Sequence, residues 1–186
     1  QGVSLAVIGA GAAGLELVFA AEQRLRGACP GGASFTLITG GVEPAANYPE
    51  GVRRRVLRRL KARGITVLRE ACTGVDKGVV YLGNGASLVC DVPVLAIGTH
   101  APVWLQGSGL ALSASGHVLV NAFQQSTSHP NVFAAGDVAT RADAVHPKSG
   151  VYAVRAGPPL THNLMAAHHG QPLKPWRPPQ RTLNLL

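Results

Sequence analysis

Gly9, Gly11 and Gly14 stand at the G-x-G-x-x-G spacing, and the chemistry that spacing serves is the holding of a pyrophosphate. The first glycine permits a tight turn, the second lets the backbone approach the phosphates, and the third lets helix and strand pack closely. Free N–H groups at the start of the following helix then face the negative charge, and the helix dipole favours it. The spacing alone is a weak signal and needs a strand before it and a helix after it. An acid should follow ~20 residues on, at the end of the second strand, to bind the adenosine ribose. That strand ends Leu37-Ile38-Thr39, so Thr39 occupies the acid's place. Glu43 is the substitute if the Gly40-Gly41 turn swings it back. Thr39 would not repel a 2′-phosphate, yet no arginine follows at once to bind one. NADH and NADPH both stay open.

The elements around the glycines supply the context. Val3 to Gly9 is a short apolar run, the pattern of a strand buried on both faces. A helix is predicted from about Ala12 to Arg26, carrying Leu15, Val18, Phe19 and Leu25. Phe35 to Ile38 reads as a second strand, and Glu50 to Arg63 as a helix stopped by Gly64. Ile65 to Arg69, Val79 to Leu82 and Ser87 to Asp91 are short strands read together as an antiparallel meander, with Gly83-Asn84-Gly85 as a turn. Val92 to Ile97, ending at Gly98, returns to the parallel sheet. Asn131 to Ala135 is another strand-like run, closed by Gly136-Asp137. A helix follows from Ser149 to His169, which Pro158-Pro159 must kink or begin. The Pro-rich tail from Gly170 is extended, and either lies over something or flaps. The fold class is α/β: a Rossmann-type parallel sheet with an antiparallel β-meander insertion.

Composition narrows the function classes. With 46% hydrophobic and 14% charged residues in 186, the chain is too apolar for disorder. No apolar run reaches the ~18 residues of a membrane helix. Cys29, Cys72 and Cys90 form no C-x-x-C, which points to a reducing compartment and buried thiols. The seven histidines show no H-E-x-x-H, and the adjacent His168 and His169 diverge on a helix, so no metal site is expected. The net charge of +8 is concentrated: seven of the 17 basic residues lie between Arg53 and Arg63. At ~100° per residue, Val52, Val56, Leu57 and Leu60 form one stripe, with Arg53 inside it and most of the basic residues on the opposite face. The basic face is then a solvated face or, on the sharper reading, a dock for anionic lipid. Nine aromatics leave few stacking platforms for nucleic acid, which is not expected as a partner.

Gly9-Ala-Gly-Ala-Ala-Gly14-Leu-Glu16 resembles the G-x-G-x-x-G-x-E of the NAD(P)H domain in two-dinucleotide-fold flavoproteins, the pyridine nucleotide-disulphide oxidoreductase superfamily. Leu95-Ala-Ile-Gly98 with Pro102 is similar to the segment where that domain returns to the flavin domain. His129-Pro-Asn-Val-Phe-Ala-Ala-Gly-Asp137 resembles the family's second flavin motif. Pro147 to Leu160 looks most like the type II NADH dehydrogenase branch, especially the NADH-dehydrogenase-like module fused to selenide, water dikinase in some bacteria.

The resemblance implies roles. Gly9, Gly11, Gly14, Glu16, Thr39, Glu43 and Gly98 would line the NAD(P)H site, with Glu16 beside the nicotinamide carboxamide. Gly136 and Asp137 would hold the ribityl chain of FAD in the full-length protein. The alternative for Glu16 is a first-turn acid favouring the helix dipole; for Asp137 it is a turn or capping residue. Residues 1–111 would be the NAD(P)H-binding domain and 112–186 the C-terminal part of the FAD-binding domain. The chain, which starts at Gln1 without a methionine, would begin at the second dinucleotide unit, so no catalytic residue is expected in the isolated piece. The implied activity is hydride transfer from NADH to FAD and electron transfer to an acceptor such as a quinone. The rival is a non-catalytic nucleotide-binding or redox-sensing module. A cytoplasmic location, at the inner membrane face if the lipid dock is real, and a homodimer covering the broken flavin domain complete the expectations.

Overall fold

In the computed structural model, residues 2–144 and 146–179 are described. The chain divides into two compact units, Gln1–Gly98 and Thr99–Leu185. The first holds β1 (Val3–Ile8), α1 (Ala12–Leu25), β2 (Ala33–Ile38), α2 (Glu50–Ala62), β3 (Thr66–Leu68), β4 (Cys72–Asp76), β5 (Val79–Leu82), β6 (Ser87–Val89) and β7 (Val92–Leu95). A parallel sheet of order β3-β2-β1-β7 forms its middle. β1 is central, and both of its faces are covered. Leu5 and Val7 pack with Phe35 and Leu37 against Leu15, Val18 and Leu60 of the two helices. Ala6 and Ile8 pack with Ile38 against Val80, Leu82 and Cys90 of the β4-β5-β6 side. A strand that alternates between two apolar layers must be apolar throughout, which is why β1 reads as a run.

The apolar stripe of α2 turns inward as its spacing predicts: Leu60 is buried, Val56 packs on the core, and Arg54, Arg55, Arg58, Arg59 and Lys61 are exposed. The far ends of α1 and α2 are tied by charge. The buried Glu22 carboxylate accepts from the Arg26 guanidinium and, at 2.7 Å, from Arg63 Nη1. Burial alone would raise its pKa, but these bonds and charges outweigh it and hold the carboxyl below the usual range.

The first unit corrects the expected meander in one respect. The strand expected at Ile65 to Arg69 is β3, and it pairs parallel with β2 as the sheet's edge rather than joining the meander. The antiparallel insertion is β4-β5-β6 instead, with β4 unforeseen because Cys72–Asp76 contains a glycine and a bulge. Short three-residue strands carry too little periodicity to declare their partners.

The second unit is built differently. A 3-10 turn, Val103–Gly107, precedes β8 (Val118–Val120), which pairs parallel with β9 (Ala139–Arg141); α3 (Gly150–His168) follows. Leu105, Val118, Val120 and Ala139 form a small core. Leu119 donates to the Ala111 carbonyl, and this compact unit starts at Thr99. Asn131 to Ala135 is no strand; only Phe133 makes a bridge, to Gln125. α3 has Ser149 as its N-cap and keeps Pro158 and Pro159 inside it. Gln124 Nε2 donates to the Ala156 carbonyl, and Thr161 Oγ1 to that of Gly157, in the residues just before the prolines. The tail as far as residue 179 lies over the unit, since Asn163 bonds both the N–H and the carbonyl of Lys174, and Trp176 donates to Ala122.

Candidate functional site

The three glycines of the turn answer to different constraints. Gly9 has φ +116°, and a Cβ there would meet the Ala96 carbonyl oxygen at 2.2 Å. A Cβ on Gly14 would meet the Gly9 oxygen at 1.8 Å. Both are therefore required by the protein's own packing. Gly11 is not: its φ of −73° suits any residue, and nothing lies within 4 Å of the Cβ position. It is the N-cap of α1 and makes no side-chain cap hydrogen bond, so first-turn N–H groups have no partner from the cap. An uncrowded backbone next to bare N–H groups fits the pyrophosphate of a dinucleotide.

The carboxyl ends of three parallel strands meet beside this turn. Gly9 donates to the Ile38 carbonyl, Thr39 to that of Leu68, and Gly40 to that of Glu70. Thr39 is buried, and its hydroxyl donates to the Val42 carbonyl, closing the Gly40-Gly41 turn. Ala45, at φ 58°, donates to Ala10 and ties the loop back to the glycine turn. Glu43 is thereby carried to the sheet's end, where Arg69 Nη2 lies 3.1 Å from its Oε1 and Arg53 Nε 3.3 Å from its Oε2.

Glu16 lies in the second turn of α1, which has no acid in its first turn. The dipole explanation weakens accordingly, because that effect fades beyond the first turn. Its side chain is exposed and makes no ion pair among the described residues. Gly98, at φ +85°, lies two residues after Ala96, whose N–H donates to the Ile8 carbonyl beside the turn. Seven of the nine expected residues thus share the first unit; Gly136 and Asp137 belong to the second.

In the second unit, Gly136 takes φ +71° and would place a Cβ 3.4 Å from that of Ala153 in the first turn of α3. Lys148 Nζ straps the segment, donating to the Asp137 carbonyl at 2.9 Å and the Ala139 carbonyl at 2.7 Å. Burial pulls the Lys148 pKa below its ordinary value, against the Asp137 carboxylate, which raises it. His117 is buried, with Nδ1 2.9 Å from Ser115 Oγ and Nε2 unpartnered. Burial lowers its pKa, Lys148 and His100 add to that, and Asp137 opposes. Ser149 Oγ, at the α3 N-cap, is also buried and unpartnered. Spare polar atoms beside Asp137 fit one side of a ribityl chain. The sequence holds no second G-x-G-x-x-G for a second pyrophosphate.

The profile of the pyridine nucleotide-disulphide oxidoreductases matches residues 1–166. The chain belongs to that family. Its members are flavin-dependent oxidoreductases that use FAD and NAD(P)H. The chain is 26% identical over 191 residues to the type II NADH:quinone oxidoreductase of Haemophilus influenzae, covering 94% of this chain and 42% of that protein. It is similar to the crystal structure of Fdr9, with TM-score 0.69 and 27% identity over 86% of this chain and 40% of the other. Its fold also matches the ferredoxin reductase for the CYP199A2 system from Rhodopseudomonas palustris, with TM-score 0.73 and 20% identity, covering 95% and 43% of the two chains. It spans less than half the length of these relatives.

Within this member of the family, sequence reasoning missed Arg69, Lys148 and the loop-fixing Ala45. Arg69 follows β3, and placing that strand in the meander hid the neighbourhood it shares with Thr39. Nothing in the sequence signals that the Lys148 ammonium binds backbone carbonyls.

Proposed function

We propose that the chain is the NAD(P)H-binding portion, with the adjoining C-terminal part of the FAD-binding domain, of an oxidoreductase of the type II NADH dehydrogenase kind. The first unit binds NAD(P)H and the second contributes to the flavin domain. When bound, the nicotinamide supplies hydride to the flavin, which passes electrons to an acceptor such as a quinone. The protein's part is placement. Gly11 admits the pyrophosphate, the bare start of α1 neutralises it, Glu16 lies beside the carboxamide, and Glu43 takes the ribose. Gly136 and Asp137 hold the ribityl chain, with Lys148 fixing their turn. A cytoplasmic location, a likeness to the NADH-dehydrogenase-like module that some bacteria fuse to selenide, water dikinase, and an electrostatic dock for anionic lipid on the exposed arginines of α2 belong to the same reading. No helix among the described residues is long and apolar enough to cross a membrane.

The open approach at Gly11 carries this reading, because neither backbone conformation nor packing demands a glycine there. Calorimetric titration of NADH and NADPH into the wild type and Gly11→Val tests it. Loss of at least about tenfold in affinity is expected for the variant; equal binding contradicts the reading. The purified chain should be colourless, since its residues supply only one pyrophosphate turn. A second reading, a non-catalytic nucleotide-binding or redox-sensing module, is favoured by one observation: the glycine turn and its supporting core are complete within Gln1–Gly98. NADH oxidation by the full-length protein separates the two.

A further inference from the structure

In the second unit a line of side-chain hydrogen bonds runs from the surface to a buried imidazole. The hydroxyl of the exposed Ser115 lies 3.0 Å from Ser113 Oγ and 2.9 Å from His117 Nδ1. His117 is buried, and its Nε2 has no partner. We propose that His117 carries protons between solvent and the flavin side of this unit, exchanging them with Ser115 at Nδ1 and towards Asp137 at Nε2. The proposal rests on the reading of Thr99–Leu185 as part of a flavin domain.

The surroundings of the ring support each part. Val118 pairs with Ala139, and His117 and Val138 immediately precede them, which brings His117 to the Asp137 turn. The charges that act on the ring are those of Lys148, Asp137 and His100. Lys148 is no partner for Nε2, because its three N–H donors go to the Asp137 and Ala139 carbonyls and the Thr140 hydroxyl. The Asp137 carboxylate makes no hydrogen bond or ion pair among the described residues. Burial, with the charges of Lys148 and His100, keeps the ring neutral, so it takes a proton at one nitrogen as it gives one up at the other. Hydroxyl–hydroxyl and hydroxyl–imidazole bonds run in either direction, so the line resets after each transfer. An imidazole held for structure alone would have both nitrogens bonded. The proposed chemistry needs such a path. Hydride brings two electrons and one proton. An acceptor of electrons alone leaves that proton to be released to water. An acceptor of two electrons and two protons draws a second one from water. Either way a proton crosses between water and the site at each turnover, and histidine is the side chain that most often moves it.

The test uses the full-length flavoprotein, reduced without oxygen by one equivalent of NADH and then mixed with ferricyanide, which takes electrons only. Flavin absorbance follows reoxidation, and an indicator dye follows proton release. In the wild type the two should run together. His117→Gln keeps a polar bond to Ser115 but cannot exchange one proton for another, and it should slow release at least about tenfold. Flavin content and bleaching by NADH should be little changed, since hydride carries its own proton. Ser115→Ala, at an exposed position, should also slow release. Release that stays in step with reoxidation in either variant overturns the proposal and leaves the flavin-domain reading standing. If His117→Gln fails to hold flavin, Ser115→Ala decides alone. A full-length protein that holds no flavin, or whose flavin NADH does not bleach, overturns that reading and this proposal with it.

Discussion

The two units reach stability by different means. Gln1–Gly98 sandwiches a parallel sheet between two apolar layers, and its buried charge, Glu22, is fully engaged by arginines. Thr99–Leu185 has a core of four buried residues and relies on side chains that bond backbone: Gln124, Arg141, Lys148 and Asn163. Among the described residues, the three buried side-chain atoms without a partner, on His117, Gln124 and Ser149, all lie in this second unit. Apolar packing is satisfied by shape alone, whereas a polar scaffold must have every bond closed. The second unit is therefore the one that leaves bonding capacity for something else.

Truncation should expose the contrast. Leu37→Ala, at a fully buried centre of the first unit, should cost ~2–5 kcal/mol, cavity included. Urea unfolding checks this, and loss of nucleotide binding should track it. A cost below ~1 kcal/mol would mean that the sheet's layers are loosely packed. Asn163→Ala in the second unit should cost about 2–4 kcal/mol without removing any core hydrocarbon. It leaves the carbonyls of Phe123 and Lys174 and the Lys174 N–H unpaired. Earlier proteolysis at residues 170–179 is the accompanying sign.

Acid should act on the second unit through His117. Burial keeps this imidazole neutral at pH values where an exposed histidine, with pKa ~6.5, is protonated. Between the two values the unfolded chain binds a proton that the folded chain does not. Stability present above about pH 6.5 therefore falls as pH drops towards the folded pKa, and this contribution levels off below it. His117→Gln should flatten that limb, measured as urea midpoints at about pH 7.5 and 5.5 for both proteins. An equally steep fall in the variant would assign the limb elsewhere.

Ser149→Ala should be the mildest change, within about 0.5 kcal/mol, because the hydroxyl it removes is buried and bonds nothing. A larger loss in thermal melts would show that a partner exists in solution. Association bears on the same unit. Val154 and Met165 of α3 are 76% and 55% exposed and share a face with Val151. Sedimentation and limited proteolysis should find either a dimer or a second unit more labile than the first.

Much of the first unit was legible because its cues are local. Gly9 to Gly14 between an apolar run and a breaker-free helix, and the inward stripe of α2 with Arg53 inside it, follow from spacing. The second unit was less legible, since Asn131 to Ala135 looks like a strand to any periodicity argument. Its backbone is held instead by bridges and side chains distant in sequence. The double proline of α3 left two outcomes open for a related reason: only the fold shows that the helix runs through it.

Residue order by itself determined the glycine turn, the α/β alternation and the absence of an acid at Thr39, because each depends on neighbours within a few positions. Tertiary structure decided that Gly9 and Gly14 serve packing while Gly11 leaves an approach open. It also decided that β3 borders β2, which brings Arg69 to Glu43 across 26 residues of chain. Contacts of that kind depend on which strand lies next to which, and a three-residue strand has too few side chains to say so in advance.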